Sequence, residues 1–181
     1  MGDERTVIVV HCVQYCAFDS VHQERTGAPS QAQGEETMAA ASATKENKEI
    51  VRRFAEEFVN GGNDDTAEEF LADDVVDSTP LGETTGRDAV VETMAEVRTA
   101  FPDFAVTLDE IVAEGDTVAV RMTQRGTHEG VFMGNEPTGN SFEIEAMGFL
   151  RLEGGKIAER RARVDVLGMV RQLGLTELPT A

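Results

Sequence analysis

Asp77, closing the short apolar segment Val75-Val76, and Arg160, Arg161 and Arg163, crowded near the end of the chain, are the side chains best suited to acid–base or anion chemistry. A positioned carboxylate can take a proton from carbon beside a carbonyl, and a guanidinium can bind the enolate or carboxylate. Inward, Arg160 could bind such an anion; outward, Arg161 and Arg163 would meet Glu143 or Glu145 across a sheet. His128 has two readings: a pH-sensitive donor at a pocket mouth, or a loop histidine that holds its own turn. Gln124 can supply an amide donor. Strand alternation from Ala162 sets Asp165 on the opposite face, where it suits capping of a terminal turn or pairing with an arginine. Upstream, His11, Cys12, Cys16 and His22 have the residue types of a four-ligand zinc site. No second cysteine pair accompanies them, so no metal site is expected.

The elements that would position these groups follow from apolar spacing. Ile50, Phe54 and Phe58 recur every four residues with Val51 and Ala55 beside them, and Asn60-Gly61-Gly62 ends the run. That predicts an amphipathic helix with a glycine stop. Asp64–Leu71 reads as a short second helix, Val75–Ser78 as a short strand broken by Pro80 and Gly82, and Val90, Met94, Val97 and Phe101 as a third helix closed by Pro102. From Phe104 the period drops to two. Phe104–Asp109, Val118–Arg125, Phe142–Leu152 and Lys156–Asp165 predict antiparallel strands joined by glycine-bearing turns. Leu167, Val170 and Leu173 suggest a closing helical turn before Gly174. Helices would then cover one face of the sheet, and Phe54, Phe58, Met122 and Gln124 would line whatever cavity lies between. Met and Phe at such spacing also serve as ordinary core.

Residues 19–44 carry little apolar periodicity and read as a flexible linker, so 1–44 is expected to be an N-terminal extension, 45–176 a folded domain and 177–181 a tail. Met38, inside that stretch, offers an alternative start to the chain. The net charge of −18 argues against nucleic acid and anionic membranes as partners, since both repel an acidic surface. Lysine occurs only at Lys45, Lys48 and Lys156, and an acidic, lysine-poor surface suits the salt-rich cytoplasm of a halophile as well as an ordinary acidic protein. The apolar run Val7–Phe18 is shorter than the roughly 20 residues a helix needs to span a bilayer. Asp3 and Glu4 precede it where a signal peptide would be basic, so a cytoplasmic protein is expected.

An ordered set of short motifs carries a family resemblance. They are Val51-Arg52-Arg53-Phe54-Ala55-Glu56-Glu57-Phe58, Phe101-Pro102-Asp103-Phe104, Ala113-Glu114-Gly115-Asp116-Thr117-Val118-Ala119-Val120-Arg121, Gly126-Thr127-His128-Glu129-Gly130, Gly134 with Pro137-Thr138-Gly139, Gly155-Lys156-Ile157, and Asp165-Val166-Leu167-Gly168 with Gln172-Leu173-Gly174. Over Glu46–Leu175 the chain resembles the SnoaL-like polyketide cyclases and ester cyclases of the nuclear-transport-factor-2-like superfamily. The resemblance implies an α+β fold: a cone-shaped α+β barrel with three N-terminal helices on a curved antiparallel sheet. It also implies a pocket under the helices and frequent homodimers through the outer sheet face.

It further implies an intramolecular aldol ring closure that needs a base and an acid but no cofactor. In the family an Asp seven positions after the glycine of the Gly-Lys-Ile turn does both, since desolvation brings a carboxyl pKa nearer the working pH. Here that position is Ala162, and the family's histidine positions fall on Arg160, Gly148 and Ser78. Asp77, where a relative carries a pocket-facing Asn, is the best surviving carboxylate. Two readings stay open. One is a cofactor-free cyclase, isomerase or hydrolase of a small, largely apolar carbonyl compound, with Asp77 as base and Gln124 or His128 as donor. The other is a non-catalytic pocket or dimerisation module, favoured by the small residues Ala146, Gly148 and Ala162.

Overall fold

The structure, a computed structural model, describes residues 31–175. Helix α1 (Gln31–Arg53) runs into a π-helical segment (Phe54–Asn60), and a 3-10 turn (Asp64–Thr66) leads into the one-turn helix α2 (Ala67–Phe70). Strands β1 (Leu71–Thr79) and β2 (Gly82–Thr85), helix α3 (Arg87–Ala100), strands β3 (Ala105–Glu114), β4 (Thr117–Thr127), β5 (Ser141–Glu153) and β6 (Lys156–Val164), and helix α4 (Val166–Leu173) complete the order. The zinc reading of His11, Cys12, Cys16 and His22 lies outside the described residues.

The predicted helices and the four C-terminal strands are present, on a curved α+β framework, with three differences. The sheet is mixed and open rather than an antiparallel barrel: its order is β2-β1-β6-β5-β4-β3, and β1 pairs parallel with β6. Alternation reveals which face a strand buries, not the direction of its neighbour, so the pattern could not supply this pairing. Pro80 and Gly82 do not merely end a strand; Pro80-Leu81 reverses the chain, and β2 pairs back onto β1 from Thr79↔Gly82 to Val76↔Thr85. Finally, Gln31–Thr44, expected as linker, forms the first turns of α1. This stretch is rich in Ala, Glu and Gln, which favour helix intrinsically, and the side chains described there are largely exposed. A helix without a buried face leaves no apolar stripe to read.

The end of α1 is where the helical layer meets the sheet. Its π-helical turns close with Gly61 N–H donating to Glu56 O at 2.9 Å, and a Cβ on Gly61 would sit 2.5 Å from Glu57 O, so only glycine fits. The wider turns stack Phe54 on Phe58 with ring centroids 5.4 Å apart, and Phe70 meets Phe54 edge-on at 6.2 Å. Asn60 then clasps the edge strand: its Nδ2 donates to Val106 O at 2.9 Å and its Oδ1 accepts from Val106 N–H at 2.7 Å. One amide thereby completes a backbone position on β3 that no neighbouring strand serves. Asp165 caps α4, accepting from Gly168 N–H at 2.8 Å, in the capping role its position suggested.

Asn60→Ala is expected to leave both polar groups of Val106 unpaired and to lower unfolding stability by roughly 1–3 kcal/mol. Urea denaturation of the two proteins checks this; equal midpoints would show that the clasp is dispensable.

Candidate active site

Between the helical layer and the concave face of the sheet lies a cavity of about 760 Å³. Its walls are mostly apolar: the stacked Phe54 and Phe58 from the end of α1, Met94 from α3, Val120 and Met122 from β4, and Leu150 from β5. Asp77, Gln124, Gly148, Arg160 and Ala162 also line it, so every ligand-facing residue named from the sequence reaches the same space except His128.

The register explains why they meet. Parallel pairing sets Asp77 on β1 opposite Arg160 on β6, and antiparallel pairing sets Ala162 opposite Gly148 and Gly148 opposite Val120. Alternation then turns Arg160 and Ala162 inward together. Arg160 Nε donates to Asp77 Oδ1 at 2.9 Å and its Nη2 donates to Oδ2 at 2.5 Å, a two-pronged ion pair with both side chains largely buried. A guanidinium has five N–H donors, so those not given to Asp77 are available to an oxygen in the cavity. The other carboxylates on the lining, Glu92 and Glu96, are exposed residues of α3 and belong to the rim. Gln124 makes only a weak 3.9 Å contact to Met122 Sδ, which leaves its amide available as a donor.

Ala162 is 1% exposed, and Gly148 is buried beside it; a Cβ on Gly148 would lie 3.6 Å from the Ala162 methyl. This part of the wall is smooth and without a titratable group. Ser78 does not line the cavity; one position after Asp77, it pairs with Arg161.

His128 is fully buried but stands behind the wall. Its Nδ1 accepts from Thr138 N–H at 3.3 Å and lies 3.2 Å from Thr138 Oγ1, and its ring packs against Phe101 at 5.5 Å. Of its two sequence readings, the one that holds its own loop matches this geometry; its donor at a pocket mouth does not. The outward arginines also differ from expectation. Met147 and Phe149 occupy the positions opposite Arg163 and Arg161, so neither arginine meets Glu143 or Glu145. Arg161 pairs with Glu159 at 2.5 Å instead, Arg163 donates to Ala162 O at 2.8 Å, and Glu145 binds Arg121 at 3.2 Å. Outside the cavity lining, Asp103 accepts from Thr127 N–H at 2.6 Å and Thr127 Oγ1 at 2.8 Å, and these bonds hold its carboxyl below the usual aspartate range.

The sequence profile of the SnoaL-like polyketide cyclases matches residues 49–173. The chain belongs to this family. Among curated relatives of this SnoaL-like chain, aklanonic acid methyl ester cyclase DnrD of Streptomyces peucetius is 33% identical over 132 residues, covering 70% of this chain and 89% of the relative. Among solved structures, IdmH of Streptomyces antibioticus superposes with a TM-score of 0.63 at 32% identity, covering 71% of this chain and 99% of IdmH. A Catenulispora acidiphila protein with a ketosteroid isomerase-like fold gives 0.61 at 21% identity, covering 70% of this chain and 93% of its own, which extends the likeness of fold.

The ion pair makes a stability prediction. Arg160→Met alone leaves the Asp77 carboxylate unpaired in an apolar wall and should cost about 2–4 kcal/mol, whereas Asp77→Leu with Arg160→Met should recover most of that loss. Chemical denaturation at neutral pH of wild type, both single variants and the double variant measures the coupling; strictly additive losses would show that the pair contributes nothing.

Proposed function

We propose that the cavity binds a small, largely apolar carbonyl compound of the polyketide methyl ester kind for which DnrD is named, and that Asp77 and Arg160 catalyse its ring closure. The observation that carries this reading is the ion pair: a carboxylate and a guanidinium joined on the wall of an otherwise mostly apolar cavity. An intramolecular aldol reaction needs only proton transfers and stabilisation of oxygen anions. Asp77 takes the proton from carbon between two carbonyls, and the electron pair passes to the carbonyl oxygen as an enolate. Negative charge thus leaves the carboxylate and arrives on an oxygen that Arg160 can bind, so the guanidinium is never without a counter-charge. The enolate carbon then forms a bond to a second carbonyl carbon of the same molecule. The resulting alkoxide recovers the proton from Asp77, with the Gln124 amide as donor to that oxygen. Product and substrate are isomers, and no cofactor is consumed.

A second reading is favoured by different features: both Asp77 oxygens are engaged by Arg160, and Ala162 and Gly148 leave the remaining wall bare. On this reading the domain binds a ligand of the same class without converting it. The outer sheet face supports a further proposal, that two copies pair through it. Val112, Met147 and Phe149 are 64%, 56% and 62% exposed there, a strip of apolar surface on an otherwise charged face.

Incubation with aklanonic acid methyl ester, followed by liquid chromatography and mass spectrometry, should yield an isomeric product. Asp77→Asn should slow its formation by at least about a hundredfold while the far-ultraviolet circular dichroism stays unchanged. Undiminished turnover in that variant would remove Asp77 from the mechanism; tight binding by wild type without any product would select the binding reading. For the dimer, Phe149→Glu should shift the mass in solution measured by light scattering from two subunits to one, and a monomeric wild type would refute the pairing.

A further inference from the structure

The loop from His128 to Asn140, between β4 and β5, is fastened at its base and distorted at its tip. At the base, His128 N–H donates to Asn140 O and Gly139 N–H donates to His128 O, both at 2.9 Å. Glu129 and Gly130 N–H both donate to Ala100 O at 3.0 Å, which pins the loop to the end of α3. A Cβ on Gly130 would lie 2.3 Å from Thr99 O, so the approach is open to glycine alone. The buried His128 ring, bound to Thr138 and packed against Phe101 and Phe132, completes a rigid footing.

The tip is a tight reversal. Phe132 and Asn135 exchange backbone hydrogen bonds of 3.0 and 2.9 Å, and the two residues between them, Met133 and Gly134, have φ of +48° and +78°. Positive φ at both central positions is the mirror-image turn that favours Asn, Asp or Gly. Gly134 suits it. Met133 does not, and it is the only non-glycine residue with positive φ among those described. Asn135 Nδ2 reinforces the turn, donating to Phe132 O at 3.2 Å and Met133 O at 3.3 Å.

A long side chain held in a conformation that Asn or Gly would adopt more readily calls for a compensating role, and the cavity supplies one. Val131, Phe132 and Met133 all line it, while Val131 remains 58% exposed at its edge. The tip therefore spans from solvent to the interior. A thioether is unbranched and polarisable, able to fill an opening and swing aside. With the footing fixed and the turn itself hydrogen-bonded, the unbranched Met133 side chain is the part of the loop suited to give way.

We propose that Met133 is the gate of the cavity: its side chain fills the entrance, and its displacement admits the ligand. This builds on the cavity as a ligand site but not on catalysis at Asp77. A bulky residue there would set the rate of exchange and the size of molecule admitted, while a turn-favouring residue would leave the entrance open.

Stopped-flow fluorescence with Nile red, a neutral apolar dye, tests this on the full chain with wild type, Met133→Gly and Met133→Asn, using Glu114→Gln at the exposed end of β3 as a control. Both Met133 variants should raise the melting temperature, because the turn is relieved, and should speed dye association and dissociation at least about threefold; the control should match wild type. Dye entry into Met133→Gly but not wild type is the same result in stronger form. Association rates unchanged in both Met133 variants, or no dye binding by any of the proteins, would overturn the gate. Gated dye entry without conversion of aklanonic acid methyl ester would leave the gate standing and remove the catalytic reading alone.

Discussion

The parallel pairing of β1 with β6 is the constraint on which the site depends. It sets Asp77 beside Arg160 in register, so that a carboxylate and a guanidinium reach the cavity already joined at two points. Either charge alone would be expensive to hold among Phe54, Phe58 and Leu150, because burial strips away water that nothing replaces. Together they satisfy each other and still leave guanidinium donors for a ligand. The strand β1 therefore supplies the carboxylate of the cavity wall, and β2 shields it from becoming the edge of the sheet.

The hollow has its own physical origin. The π-helical end of α1 spaces Phe54 and Phe58 so that they stack as one aromatic wall, and Asn60 ties that wall to β3. On the opposite side Gly148 and Ala162 hold the sheet surface low. Large residues in the helical layer and small ones on the central strands leave space between two layers that would otherwise interdigitate. Ala162 gives this part of the wall volume rather than charge, and the largely buried carboxylate of the wall is Asp77, one strand across.

Much of this was legible in the sequence, for reasons that also explain what was not. Ile50, Phe54 and Phe58 announced a helix because one face is buried, and alternation through β3 to β6 announced strands because one face of the sheet is covered. The same alternation turned Arg160 and Ala162 to the same side and Asp165 to the other. Periodicity was silent where burial was absent or irregular. Gln31–Thr44 is helical, with the side chains described from Met38 to Thr44 largely exposed, and Gly82–Thr85 is too short to show a period. Loop residues have no period at all, so nothing before the fold was known could decide that His128 faces away from the cavity or that Met133 faces into it. Strand direction is set by long-range topology, which left the β1–β6 partnership, and with it the Asp77–Arg160 pair, to be found in three dimensions.

A crystal structure of the protein with aklanonic acid methyl ester bound addresses the account at its root. The account predicts the ester inside the cavity, its rings against Phe54 and Phe58 and a carbonyl oxygen about 3 Å from an Arg160 N–H, with Asp77 still paired to the same guanidinium. An ester bound elsewhere, or an Arg160 turned to solvent with the pair broken and the cavity collapsed around apolar side chains, would contradict it.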